Sequence, residues 1–135
     1  MVNVSNATLF TAILSSGILS PYLEKDAGLA ELMKDPNHPN IHYYQRQVSA
    51  KQITSVFKTR LEYMVSKRVF LNLEATKQLV AFIEEHSESG ICGVNFSFPK
   101  HSYGVYLGIT ADDIHVICVM TGGHTSDTDH EIIWQ

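Results

Sequence analysis

Cysteine is nearly absent from this chain: Cys92 and Cys118 are the two in 135 residues, set in separate apolar stretches without CxxC spacing. That scarcity excludes a disulfide scaffold, a zinc knuckle and a thioredoxin-type redox motif. It leaves two buried, reduced thiols, the pattern of a cytoplasmic protein. Long apolar runs are also missing. The longest candidate, Ala7 to Leu19, is broken by Thr11, Ser15 and Ser16, and a membrane span needs about 20 apolar residues in succession. The first lysine is Lys25, so no positive charge precedes that apolar stretch as a secretory signal requires. No internal repeat and no low-complexity tract is present, which excludes solenoids and collagen-like polymers.

What remains is an ordinary globular composition, 44% apolar and 18% charged, enough to build one core. The expectation is a single α+β domain over residues 1–135, with helices over about 5–88 and strands over about 91–135.

Helical spacing comes first. Leu9, Phe10, Ile13 and Leu14 mark a helix from Ala7 to Ser16, capped by Ser5 or Asn6 and ended by Gly17. Ser20 and Pro21 start a second, running to about Lys34, with Asp35-Pro36 as its stop. Asp35 to Tyr44 carries two prolines and two asparagines and reads as a loop offering His38, His42, Tyr43 and Tyr44 as contacts. Ile53, Val56, Phe57, Leu61, Met64 and Val65 form one stripe of a helix from Ser49 to Arg68, and Asn72 caps a helix to about His86. These make about four helices.

Beyond Gly90 the period changes to two. Cys92, Val94, Phe96 and Phe98 alternate with Gly93, Asn95 and Ser97, and Tyr103, Val105, Leu107 and Ile109 with Gly104, Tyr106 and Gly108. Asp113 to Thr121 is apolar at nearly every position, as in a more central strand, and Ile132 to Trp134 supplies a fourth. Short connections predict an antiparallel meander with the helices over its apolar face.

Charge is unevenly placed. Residues 1–39 hold two basic and four acidic groups, residues 40–77 seven and two, and residues 78–135 one and eight. Lys100 is the one basic residue of the strand region, which disfavours nucleic acid as a direct ligand. An acidic surface speeds and orients encounter with a basic protein. The candidate contact residues are Glu84, Glu85, Asp112, Asp113, Asp127, Asp129 and Glu131, with Tyr106 and Trp134 as aromatic anchors. Glu84 and Glu85 stand at the negative end of their helix, a locally unfavourable place.

A second grouping is chemical. In the expected meander the loop holding Lys100 and His101 shares a rim with the segment holding His124, Asp127, Asp129 and His130. Imidazoles with a lysine can perform the proton transfers of a metal-independent ribonuclease. Imidazole and carboxylate can also hold a divalent ion, but the spacing matches no metal-binding motif. The expectation is therefore a binding protein without cofactor or metal, an inhibitor or immunity-type protein that neutralises a basic toxin or nuclease. A small hydrolase using His101, His124, His130 and Lys100 is the alternative.

Overall fold

The computed structural model describes residues 4–47, 50–66, 73–86, 90–110 and 113–122. Helix α1, Asn6–Ser16, begins and ends on the residues its sequence nominates. Ser5 accepts a hydrogen bond from the Thr8 N–H (3.1 Å), and Gly17 closes the helix in the left-handed region at φ +68°. The helix expected to run to Lys34 is broken into α2, Ser20–Leu23, and α3, Ala27–Leu32. Pro21 sits in the first turn of α2, as its missing N–H favours. Asp26 causes the break: its backbone is extended (φ −126°, ψ 97°), and its Oδ1 caps α3 by accepting from the Leu29 N–H at 3.2 Å.

The loop after α3 is shorter than expected. Asp35 accepts the Asn37 N–H through its side chain and the His38 N–H through its carbonyl, so turn chemistry occupies residues 35–40. Ile41–Gln47 is strand β1, whose residues 41 and 43 pack inward. Thus the sheet takes its first strand from before the expected strand region, and residues 41–44, expected as loop, are part of it. Helices α4 (Ala50–Ser66) and α5 (Leu73–Glu85) follow, then β2 (Gly90–Ser97), β3 (Ser102–Ile109) and β4 (Ile114–Gly122). The class is α+β, with a four-stranded antiparallel sheet in the order β1-β2-β3-β4. The expected strand Ile132 to Trp134 and the expected cap Asn72 lie outside the described residues.

Both faces of the sheet are covered, a departure from the single covered face expected. Val94, Phe96, Val105 and Leu107 pack beneath α1–α3 with Leu9, Phe10, Ile13 and Leu29. Ile91, Tyr106, Cys118 and Met120 pack beneath α4–α5 with Phe57, Leu79 and Ile83. Burying each large aliphatic side chain is worth roughly 1.5–3 kcal/mol, so each layer has its own reason to stay. Alternation in β2 and β3 therefore encodes size instead of solvent exposure. A Cβ on Gly108 would stand 2.0 Å from the Phe82 ring, so α5 seats an aromatic side chain where the strand has none.

β4 explains itself in the same way. Tyr106 pairs with Cys118 but Leu107 with Val116, leaving Ile117 as an extra residue in a bulge. Ile117 and Cys118 then join the α4–α5 core while Val116 and Val119 join the other. This strand is apolar at successive positions because helices lie on both of its faces. Among the described strands it is at the edge, not at the centre as its composition suggested.

Candidate interaction surface

Phe82 positions the acidic end of the molecule. Its ring stacks on His86 at 4.2 Å between centroids and lies 5.4 Å from His115, which fixes the last turn of α5 over the beginning of β4. Glu84 and Glu85 occupy that last turn, and Asp113 immediately precedes β4. The turn before β4 is held by its own polar groups: the Thr110 N–H donates to the Asp113 carbonyl (3.0 Å), and the Asp113 N–H donates to Thr110 Oγ1 (3.2 Å). Asp113 Oδ1 accepts from the Ile114 N–H at 2.8 Å. Glu84 and Glu85 on α5 and Asp113 before β4, all exposed, thus stand toward the same end of the sheet, on opposite faces of it.

Their neutralisation is incomplete. Lys58 of α4 reaches Glu84 at 3.0 Å, with both side chains about half exposed, a pairing worth less than about 1 kcal/mol. Among the described residues Glu85 and Asp113 make no ion pair. The last turn of α5 carries no lysine or arginine, although the free carbonyls there favour a cation.

The opposite end of the sheet carries His101 and Lys100. Phe98 and His101 close a tight β2–β3 turn (Phe98 N–H to His101 carbonyl, 2.9 Å), which leaves Lys100 exposed. His101 stacks flat on Phe98 (4.5 Å between centroids, 6°), and its Nε2 lies 2.8 Å from Asp26 Oδ2. The Tyr103 hydroxyl donates to the same oxygen at 2.7 Å. Tyr103 foremost, then His101 and the Leu29 N–H, hold the Asp26 carboxyl below its usual range against the opposing effect of burial. Burial first, and Asp26 second, push Tyr103 up to about 12. The partners of Asp26 lie 75 and 77 residues away, and no local sequence pattern announces them.

Comparison with known proteins gives no match: no family model, no curated protein and no solved structure is significantly similar to this chain. Tyr106 requires correction as an aromatic anchor. It is fully buried beneath α4 and α5, because its position in β3 faces the second helical layer, and no partner can reach it. Asp112, His124, Asp127, Asp129, His130, Glu131 and Trp134 lie outside the described residues. Gly122 pairs with Ser102, so β4 delivers the chain beside the His101 turn, the end of the sheet the meander predicted. That end is about 26 Å along β4 from Asp113, at roughly 3.3 Å per residue. Among the described residues no three His, Cys, Asp or Glu side chains group as metal ligands, and no helix is long and apolar enough to cross a membrane.

Proposed function

We propose that the protein binds a basic protein, acting as an inhibitor or immunity-type protein that covers a cytoplasmic toxin or nuclease. One observation carries the reading: Glu84 and Glu85 are exposed at the negative end of α5, Asp113 is exposed toward the same end of the sheet on its other face, and Lys58 alone among the described residues pairs with any of them. Crowded carboxylates at a helix C-terminus are each unfavourable by a few tenths of a kcal/mol up to about 1 kcal/mol. A basic partner reverses that sign, and its approach is accelerated by the same field. Direct binding of nucleic acid is disfavoured, since phosphate would meet like charge here. The test is an affinity capture with the wild-type chain and with the E84K/E85K/D113K variant, at low and high salt. The reading expects a basic protein in stoichiometric yield on the wild type at low salt, and its loss from the variant. Equal capture by both chains contradicts it.

The Asp26–His101 contact favours a second reading, a small hydrolase, because a carboxylate at one ring nitrogen fixes an imidazole for proton transfer at the other. Under that reading His101→Ala removes at least about a hundredfold of rate on a phosphodiester or ester substrate with the fold intact. An unchanged rate ends it.

A further inference from the structure

Beside Asp113 an open groove of about 460 Å³ runs between α1 and the start of β4, lined by Ala7, Thr8, Thr11, Ala12, Asp113 and Ile114. Its volume falls within the roughly 300–1,000 Å³ of ligand sites, but its open side would leave a small molecule largely in water. A protein segment brings its own cover.

Two features of the walls define that segment. First, α1 contains no charged residue over its whole length, although Ala7, Thr8, Thr11 and Leu14 are exposed and Leu14 retains 47% of its surface. Solvated helix faces ordinarily carry charge, whereas the centres of protein interfaces are depleted of it. Second, the charge that the groove does possess is a carboxylate at its end. Asp113 makes no ion pair among the described residues, and Glu84 and Glu85 lie on the far side of β4. Uncharged walls with a single carboxylate match a side chain that has an aliphatic stem and a cationic head.

We infer that this groove seats a basic segment of the protein partner, with an arginine or lysine head on Asp113 and its stem over Ile114 and the small side chains of α1. The inference rests on the proposed function and adds the docking site to it. The Thr8 hydroxyl is already bonded to Ser5 Oγ at 2.7 Å, so recognition here is by shape and charge more than by hydrogen bonds from α1.

A hexa-arginine peptide, titrated into the 15N-labelled chain at low salt, tests this directly. The expected result is a set of amide shifts at residues 7–12 and 113–114, with affinity falling about three- to tenfold in Asp113→Asn and at least about tenfold in Thr11→Trp, which fills the groove from an exposed helix position. Shifts restricted to Glu84 and Glu85, with affinity untouched by Thr11→Trp, overturn the groove and leave the acidic-surface reading standing. Absence of any shift at low salt overturns both. Concentration-dependent shifts at residues 7–12 without peptide assign the groove to a second copy of the chain and overturn the inference.

Discussion

Asp26 does three things with two oxygens. One caps α3 through the Leu29 N–H, and the other takes hydrogen bonds from His101 and Tyr103, so a single carboxylate ties the first helical layer to the β2–β3 turn. Its pKa in the folded chain lies below the ordinary value near 3.8. Stability contributed by such a group is fully present above its unfolded pKa and is lost as pH falls through the folded one. Asp26→Asn is therefore expected to cost about 2 kcal/mol near neutral pH, the scale of hydrogen bonds to a charged group. That cost should shrink below about pH 4. Urea unfolding of both chains across this range checks it, and a gap that stays constant or widens on acidification contradicts the assignment. Tyr103 has the reverse sign: raised to about 12, it contributes below its unfolded pKa near 10 and loses that contribution as pH rises through 12.

At the scale of elements, the fit of α5 on the sheet rests on an exchange of volume between Phe82 and Gly108. Gly108→Ala puts a methyl group into the Phe82 ring, and overpacking of this kind costs about 1–3 kcal/mol. Pairing it with Phe82→Leu should recover part of that loss, a favourable coupling that a double-mutant cycle in urea measures. Strict additivity of the two changes would show that the ring and the glycine do not compete for one space. The same pair shows what the sequence could convey. Helices α1, α4 and α5 and strands β2 and β3 are legible because their apolar periods are long and their caps local, as at Ser5 and Gly17, and β4 because it is a nearly continuous apolar run. β1 was hidden because Asp35 to Asn40 is dense in turn residues and the strand begins directly after it. The second covered face was hidden because Gly93, Gly104 and Gly108 look like a solvent side until a helix is placed on them. Asp26 was not legible as the partner of His101, since tertiary contacts between distant residues leave no local mark. Glu84, Glu85 and Asp113 could be named as acidic from sequence. That they stand toward the same end of the sheet needed the Phe82, His86 and His115 cluster to be seen.

The whole molecule is a sheet between two helical layers, and its two thiols report on that architecture. Cys92 faces the α1–α3 core and Cys118 the α4–α5 core, so they lie on opposite faces of the sheet and do not form a disulfide. Burial pushes both up to about 12, which suppresses the thiolate. An aromatic disulfide reagent is expected to label neither thiol in the native chain and both in urea. Labelling of Cys118 alone under native conditions would mean that the α4–α5 layer opens separately.

The proposed function, too, belongs to the whole molecule, because its acidic residues stand on α5 and directly before β4. Electrostatic steering makes association with an oppositely charged partner fall steeply with ionic strength, while contacts made after docking chiefly set dissociation. The decisive measurement is the association rate constant of the captured basic partner as a function of salt, for the wild-type chain and for E84K/E85K/D113K. The account predicts a steep decline for the wild type, and for the variant a low-salt rate at least about tenfold lower with little salt dependence. Identical rates and identical slopes for the two chains would contradict it.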